Sequence, residues 1–247
     1  MLKIKALVLA FFIAFTPQAS ALLSTDTCYG TDASLMAQMN GADTSTTFID
    51  DSDNAHTITA AGDAQIDTSQ SKFGGASGIF NTDDDVSVAD NATFNIDTSD
   101  FTIDFWVRFA DLLSESVMFR FAGNTTTLYL TANALAGRYD INVAGTTKSY
   151  TTVTLADTWY HIAVTRASGT VRFYQDGVQI STDLTASGDI AQGEWRAGQY
   201  PGTGIDFNGW FDGYRIVLGQ AIWTANFTPP SAEYTLCAAR KNVMIID

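Results

Sequence analysis

The ten residues from Asp100 to Phe109, DFTIDFWVRF, constrain the fold of this chain more than any other stretch. Every second residue there is large and apolar, and these residues are Phe101, Ile103, Phe105, Val107 and Phe109. Successive side chains of a β-strand point to opposite faces of a sheet, whereas a helix would scatter these residues around its axis. The pattern therefore predicts a central strand with one wholly apolar face turned towards a core.

The rest of the chain shows the same kind of pattern in weaker form. Apolar stretches are short and are separated by turn residues, and no amphipathic helical period continues for more than a few residues. Thr158–Ala167, TWYHIAVTRA, is a second strong strand, and Asp176-Gly177 lies between two later alternating runs. Asp-Gly favours the positive φ angles of a tight hairpin. The sequence therefore predicts an all-β fold, an antiparallel two-sheet sandwich, with three adjacent strands between residues 158 and 180.

The N-terminus has the features of a secretory signal peptide. Lys3 and Lys5 precede an apolar run over residues 6–15, and the small residues Ala19-Ser20-Ala21 follow it. A membrane-spanning helix needs about 20 apolar residues, so this run is too short to serve as an anchor. We therefore predict a signal peptide over residues 1–21 that is cleaved after Ala21. The mature protein is expected to be secreted, extracellular or periplasmic, without membrane insertion.

The two cysteines, Cys28 and Cys237, lie near the two ends of the mature chain. In an oxidising compartment, two cysteines predict one disulfide bond. Closing so long a loop would contribute roughly 4–5 kcal/mol in the chain-entropy model. The alternative is two unpaired thiols.

The charge of the chain excludes one class of partner. Asp and Glu number 27 and Lys and Arg 13, which gives a formal net charge of −14. Such a surface repels phosphate backbones, so we expect no nucleic-acid partner. The same acidity suits a protein that binds divalent cations, although solubility alone is a commoner reason for it.

Several stretches together resemble a known family. They are MNGADTSTTFIDDS (Met39–Ser52), AQIDTSQSKFGGASGIF (Ala64–Phe80), DFTIDFWVRF, TWYHIAVTRASGTVRFYQDGVQI (Thr158–Ile180) and FDGYRIVLGQAIWTANFTPP (Phe211–Pro230). In this order they resemble the laminin-G-like, concanavalin-A-like jelly-roll domains of secreted bacterial proteins and phage structural proteins. The resemblance implies a single domain of two packed antiparallel sheets over residues 22–247, with a C-terminal tail over 231–247. It also implies neighbouring termini, in agreement with a Cys28–Cys237 bond.

Acidic residues in two loops are candidate metal ligands. The stretch Asp50 to Asn54, DDSDN, offers many oxygen atoms of the kind that Ca²⁺ prefers. In similar laminin-G-like domains a structural calcium joins this loop to an aspartate of the last strand. The resemblance therefore implies Asp51 and Asp212 as ligands, with Asp53 as a third. The alternative is that these are solvated turn residues, which is also how we interpret Asp83-Asp84-Asp85.

Aromatic side chains in loops are candidate contacts for sugars, because their faces stack on the C–H surfaces of pyranose rings. Trp195, Tyr200 and Trp223 lie in predicted loops or near predicted strand ends. We therefore predict them as ligand-binding residues. The alternative is that they fill the core or cover the ends of sheets.

The sequence does not favour an enzyme. Glycoside hydrolases of this fold use two carboxylates across the sugar, but this chain has only three Glu, at 115, 194 and 233, and they are far apart. It has two histidines, His56 and His161, and lacks the G-x-S-x-G motif of serine hydrolases. We interpret His161 as a half-buried strand residue. No catalytic residue is predicted.

These observations favour a secreted, non-catalytic binding module that recognises carbohydrate or a cell-surface ligand, with a glycan or an extracellular protein as its partner. The alternative is a structural or adhesion subunit of an extracellular filament, a surface layer or a virion. It rests on the apolar tail Asn242–Ile246, NVMII, which could pair with the open sheet edge of another copy and so drive self-assembly. A polysaccharide hydrolase is the third and least favoured hypothesis.

Overall fold

The computed structural model describes residues 33–113, 115–122, 127–133, 136–180 and 182–235. The predicted signal peptide, the predicted Cys28–Cys237 bond and the apolar tail Asn242–Ile246 lie outside the described residues, so these three remain predictions.

The described residues form an almost entirely β structure, with one short 3₁₀ helix at Ala92–Phe94. The strands are β1 Ala33–Ala37, β2 Thr59–Ala61, β3 Gln65–Asp67, β4 Ser77–Phe80, β5 Asp85–Val88, β6 Phe101–Phe109, β7 Glu115–Ala122, β8 Thr127–Asn133, β9 Arg138–Val143, β10 Thr146–Thr151, β11 Trp159–Ala167, β12 Thr170–Gln175, β13 Val178–Gln179, β14 Leu184–Thr185, β15 Glu194–Tyr200, β16 Ile205–Asp206 and β17 Gly209–Leu218.

The strands form two antiparallel sheets. The first sheet has the order β13-β12-β11-β6-β17-β4-β3, with β1 paired to β17 and β14 paired to β12. The second sheet has the order β10-β9-β8-β7-β15-β5-β2, with β16 paired to β15. The predicted all-β, antiparallel two-sheet jelly roll is therefore confirmed. No helix in the described ranges is long and apolar enough to cross a membrane.

The predicted central strand is β6, which lies between β11 and β17 in the first sheet. Its apolar face is part of one core that fills the space between the sheets, and the five side chains concerned, Phe101, Ile103, Phe105, Val107 and Phe109, are fully buried. Phe119 and Phe121 of β7 and Ile141 of β9 reach the same core from the second sheet. Apolar burial of this extent is the dominant stabilising contribution to such a fold.

The three strands predicted between residues 158 and 180 are β11, β12 and β13, and they are adjacent. The turn between β12 and β13 contains Asp176 and Gly177 at φ of 50° and 75°. Both positions require the left-handed region that the Asp-Gly pair was predicted to supply. The carbonyl of Phe227 would lie 2.0 Å from a Cβ at position 177, so glycine is also needed there for space.

The outer face of the first sheet is covered, which the sequence pattern did not indicate. We call residues 220–235 the C-terminal strap. The Ile222 amide donates to Thr102 Oγ1 at 2.8 Å, and Thr102 Oγ1 donates to the Gln220 carbonyl at 3.0 Å. The strap covers Thr102 and Asp104 on the outward face of β6, and Lys72 and Phe73 contact Trp106 there, so all three residues are buried as well.

Candidate functional site

Trp195 is a core residue. Its side chain on β15 is fully buried and meets the ring of Tyr214 at 5.1 Å between centroids. It alternates with Arg196, whose side chain is half-buried on the other side of the sheet. A side chain without exposed surface cannot stack on a sugar, so the predicted ligand-binding role of Trp195 is wrong. The indole fills the space between the sheets.

Trp223 belongs to the C-terminal strap and is also buried, with 8% of its surface exposed. Its ring stacks on Phe227 at 3.9 Å and meets the edge of His161 at 5.8 Å. The ring surface that a ligand would need is therefore occupied by the protein. Trp223 anchors the strap on the first sheet, which corrects its predicted role as a ligand contact.

Tyr200 is the predicted ligand-binding residue that remains accessible. It ends β15 and is half-buried. The guanidinium of Arg120 lies over its ring at 4.4 Å from the centroid, within the range of a cation–π contact. Arg120 alternates on β7 with the core residues Phe119 and Phe121, so its side chain points out of the second sheet.

Arg120 belongs to a transverse row of outward-facing side chains on the second sheet. Tyr129 on β8 is its direct partner on one side, and Arg196 on β15 is its partner on the other. Asn142 on β9 pairs with Tyr129 and extends the row. We call Asn142, Tyr129, Arg120 and Arg196, together with Tyr200, the outer-face row. The sequence prediction missed Tyr129 and Arg120, although both alternate with apolar residues in short strands.

The two arginines of the row have different electrostatic surroundings. Arg196 Nη1 lies 2.5 Å from Asp85 Oδ2, and its Nη2 lies 2.8 Å from Glu194 Oε1. Burial would lower the pKa of the Arg196 guanidinium, but the two carboxylates outweigh this and raise it. Within the described residues, Arg120 has no ion pair. Carboxylates compensate the charge of Arg196, whereas no carboxylate of the described residues pairs with Arg120.

The interpretation of residues 83–85 as a solvated turn is correct only for Asp83, which is exposed. Asp84 is buried and accepts from the Asp63 amide at 2.5 Å and the Asn81 amide at 2.7 Å. Asp85 is buried beneath Arg196, and burial raises the pKa of its carboxyl although the guanidinium opposes the shift. These two aspartates therefore hold the loop and the outer-face row in place.

The predicted metal ligands do not form one cluster of carboxylates. Asp53 is exposed in its loop. Asp212 on β17 is almost fully buried, and its Oδ2 accepts from the Lys72 and Phe73 amides at 2.7 and 3.0 Å. Burial raises the pKa of Asp212 to about 7, and the negative charge of Glu233 adds to the shift. In the described part of the chain, no group of three or more His, Cys, Asp or Glu has a metal-binding arrangement.

Asp51 lies instead in a groove between the end of β1 and residues 233–235 of the strap. Gln38, Asn40, Asp51 and Glu233 contribute its polar side chains. Partial burial raises the pKa of Asp51, and the negative charges of Asp50 and Glu233 raise it further. We call this the strap groove.

The oxygen atoms of the strap groove fit a calcium ion better than the predicted ligand set does. Asn40 Nδ2 donates to Glu233 Oε1 at 2.6 Å, while Asn40 Oδ1 and Gln38 Oε1 are buried without a hydrogen-bond donor. Two unsatisfied amide oxygens beside two carboxylates are a hard-oxygen donor set. Burying an oxygen atom that has no hydrogen-bond donor costs free energy. A cation bound among the four side chains of the groove would offset that cost.

Asp50, which was not among the predicted ligands, organises its loop from inside. Its side chain is buried and accepts from the amides of Met36 at 2.9 Å, Ser52 at 3.0 Å and His56 at 2.8 Å. A buried carboxylate that accepts from three backbone amides fixes the conformation of the loop. Asp50 thereby positions Asp51 at the strap groove.

A buried polar cluster lies under the strap and was not predicted. Asp104 accepts from Arg215 Nε at 2.9 Å and Nη2 at 3.1 Å, and its Oδ2 lies 3.2 Å from His161 Nε2. The Tyr234 hydroxyl donates to the same carboxylate. Burial would raise the pKa of Asp104, but Arg215 and His161 hold it below its usual range. His161 is fully buried, which corrects its interpretation as a half-buried residue.

The fold and the outer-face row together define the class of this protein: a two-sheet jelly roll with an outward-facing row of aromatic and polar side chains, all half-buried except Asn142, which is buried. The model of the concanavalin A-like lectin/glucanases superfamily matches residues 80–220, and the chain belongs to this family. The predicted resemblance is thereby confirmed. Comparison with curated protein sequences gave no match.

Solved structures of similar fold include both carbohydrate-related and toxin domains. Domain 4 of AbnA, a GH43 extracellular arabinanase from Geobacillus stearothermophilus, was solved in complex with arabinotriose. It is 16% identical over 77% of this chain and 94% of that one, with a TM-score of 0.57. The binding domain of Paraclostridial Mosquitocidal Protein 1 is 16% identical over 77% and 49%, with a TM-score of 0.61.

A structure of botulinum neurotoxin type C, whose cell entry depends on two ganglioside molecules, is 15% identical over 74% of this chain and 47% of that one, with a TM-score of 0.56. This chain therefore spans about half the length of the toxin domains it matches. At these identities the likeness shows the fold.

Proposed function

We propose that this protein is a secreted, non-catalytic binding module that recognises a glycan at the outer-face row. The observation that carries the proposal is the row itself: Tyr129 and Tyr200 are half-buried beside Arg120, on the broad face that the strap leaves open. Aromatic rings with polar groups beside them are what a sugar ring needs for stacking and hydrogen bonding. The carbohydrate ligand of the arabinanase domain and the binding domains of the toxins support this proposal.

The surroundings of the row support binding without catalysis. A glycoside hydrolase needs one carboxyl group as acid and a second as base or nucleophile. The carboxylates of Asp85 and Glu194 beside the row are both ion-paired to Arg196. Each carboxylate is thereby engaged by the guanidinium of Arg196 rather than presented to a ligand.

Binding to a glycan array, followed by calorimetry with the best ligand, tests the proposal. Tyr129→Ala and Tyr200→Ala are expected to weaken binding roughly tenfold each, because each removes one stacking surface. Trp210→Ala is the matched control, since Trp210 is a half-buried ring under an arginine, Arg108, on the other sheet. Absence of binding to every glycan, or equal loss in the control, would contradict the proposal.

We also propose that Ca²⁺ binds in the strap groove as a structural ion. Asp51, Glu233, Gln38 and Asn40 would hold it, and its charge would compensate the two carboxylates while satisfying the two amide oxygens. Of the three predicted ligands, this proposal retains Asp51. Asp212 lies close enough to Glu233 for the negative charge of Glu233 to raise the pKa of its carboxyl. Asp53 has no described contact with the groove.

A further inference from the structure

Arg120 differs from the other arginines of the described residues. Each of the others has an oxygen partner: Arg108 with Asp157, Arg138 with Asp140, Arg172 with Asp183, Arg196 with Asp85 and Glu194, Arg215 with Asp104, and Arg166 with the carbonyls of Asp97, Ser99 and Gly188. In the same part of the chain, the guanidinium of Arg120 has no hydrogen bond or ion pair with an oxygen and lies over the Tyr200 ring. In a protein with a net charge of −14, a guanidinium without a carboxylate is unexpected.

Arg120 has no ion pair within the described residues although a second guanidinium lies directly beside it in the sheet. Arg196 is its direct neighbour across the β7–β15 pair. Like charges directly opposite each other in a sheet are destabilising, and only Arg196 is compensated by carboxylates. An anion bound at Arg120 would relieve this repulsion.

The contact with Tyr200 leaves the guanidinium ready to bind. A guanidinium is planar, and its five N–H groups lie in that plane. The guanidinium carbon lies over the Tyr200 ring at 4.4 Å, and within the described residues none of the N–H groups donates to an oxygen, so they are available to another partner. The ring also limits the motion of a long side chain, which lowers the entropy cost of binding.

We propose that the outer-face row recognises a sugar that carries a carboxylate, with Arg120 binding the carboxylate in a bidentate manner and the sugar ring resting against Tyr129 or Tyr200. This proposal rests on the function proposed above and specifies the ligand class. Arginine is the side chain whose geometry matches a carboxylate with two parallel hydrogen bonds. Uronic and sialic acids share this chemistry, and the experiment below separates them.

The overall charge limits the ligand further. A net charge of −14 repels a polyanionic chain at long range, while a single carboxylate at a sugar terminus meets mainly the local field of Arg120. The ligand is therefore a glycan with an isolated acidic sugar rather than a densely charged polymer.

Calorimetry with two matched pairs of oligosaccharides tests the inference: sialyllactose against lactose, and xylotriose capped with glucuronic acid against xylotriose. We expect the acidic member of one pair to bind about tenfold or more tightly than its neutral partner, since a charged hydrogen-bonded pair adds that much. The pair that shows the preference identifies the source of the carboxylate.

Arg120→Gln is expected to abolish the preference for the acidic member while leaving weak binding of the neutral one. Arg120→Lys retains the charge without the planar fork and should recover only part of it. Arg108→Gln is the matched control, because it removes a guanidinium that also lies over an aromatic ring but is already paired with Asp157. The control should keep the wild-type preference.

The outcomes separate this inference from the proposed function. Equal binding of acidic and neutral members, unchanged in Arg120→Gln, would overturn the acidic-sugar inference and leave glycan binding at the row intact. Failure of all four oligosaccharides and of the wider glycan array, with folded protein by circular dichroism, would overturn both. An acidic preference that survives Arg120→Gln would overturn the assignment to Arg120.

Discussion

At the scale of single residues, the polar positions of β6 have consequences that their sequence pattern conceals. Asp104 faces outward in the alternation, as a solvent-exposed residue would, yet it is fully buried between Arg215 and His161. A buried carboxylate remains charged only where such partners compensate its desolvation. The cluster is therefore sensitive to the loss of any one of its members.

Asp104→Asn is expected to lower the free energy of unfolding at pH 7 by about 3–5 kcal/mol, because it removes the buried negative charge that both Arg215 and His161 contact. Urea denaturation followed by tryptophan fluorescence measures the change. Asp157→Asn is the control: it removes an exposed carboxylate that is paired with the half-buried Arg108, and about 1 kcal/mol or less is expected. Similar losses in both variants would contradict the assignment.

The same variant has a defined pH dependence. The pKa of Asp104 is lowered in the folded protein, so its ionisation stabilises the fold above the unfolded pKa near 4 and this contribution is lost as pH falls through the lower folded value. The difference in unfolding free energy between wild type and Asp104→Asn should therefore shrink below about pH 4. A difference that stays constant down to pH 2 would show that the carboxylate contributes through shape rather than charge.

Residue roles were predictable only in part, and the reason is physical. Trp195 and Tyr200 lie near the two ends of one short strand, five positions apart, so alternation places them on opposite faces of the sheet. Which of the two faces the core depends on the partner strands β5 and β7, which a single stretch of sequence does not contain. Arg120 could be placed on an outer face by alternation, but its lack of an ion pair required the positions of every other charge.

At the scale of elements, the C-terminal strap is held by a few aromatic and polar contacts rather than by strand pairing. Trp223 stacks on Phe227, and Tyr234 donates to Asp104. The apolar contacts bury the outer face of β6, and the strap groove lies at the end of the same segment. Attachment of the strap is therefore expected to be separable from folding of the sandwich.

Trp223→Ala is expected to loosen the strap and cost about 3 kcal/mol of unfolding free energy, since a buried tryptophan side chain is lost. Hydrogen exchange should rise first in residues 220–235 and much less in β7 and β8. Trp223→Phe, which retains a ring for stacking on Phe227, is the control and should preserve most of the protection. Uniform loss of protection over the whole sandwich would mean that the strap and the sheets unfold together.

Calcium should act at the other end of the strap. We expect addition of Ca²⁺ to EDTA-treated protein to raise the melting temperature, because an ion bound only by the folded state stabilises it. Asp51→Asn should reduce the shift, while Asp63→Asn, in an exposed turn, should not. A melting temperature that is the same with EDTA and with millimolar Ca²⁺ would contradict the calcium proposal.

Element prediction succeeded where the local pattern was decisive. The alternation in β6 and the Asp-Gly turn after β12 are set by neighbours in the sequence, and both were predicted. The strap was not, because its residues show no period and their burial depends on a sheet face more than a hundred positions away. The oxygen set of the strap groove likewise joins residues from 38 to 233.

At the scale of the whole molecule, export and assembly remain predictions that the described residues do not test. We expect the intact mass of the secreted protein to correspond to a chain that starts at Leu22. A Cys28–Cys237 bond lowers that mass by the mass of about two hydrogen atoms. A free-thiol count of two would contradict the bond, and a retained leader would contradict cleavage after Ala21.

Size-exclusion chromatography with light scattering distinguishes the binding module from the alternative of an assembling subunit. A monomer over a wide concentration range is expected for the binding module. Truncation after Lys241, which removes residues 242–247 and with them the apolar tail Asn242–Ile246, should then change nothing in the oligomeric state. Concentration-dependent oligomers that the truncation abolishes would favour self-assembly through this tail.

The strap also makes the sandwich one-sided. The C-terminal strap covers the outer face of the first sheet, and the outer face of the second sheet carries the outer-face row. A large ligand can therefore reach the row from one side of the molecule only. Tethering the protein to a sensor through a cysteine introduced at exposed Thr224 should thus leave capture of a glycan undiminished. Tethering through half-buried Ser87, beside Arg196 on the opposite broad face, should block it.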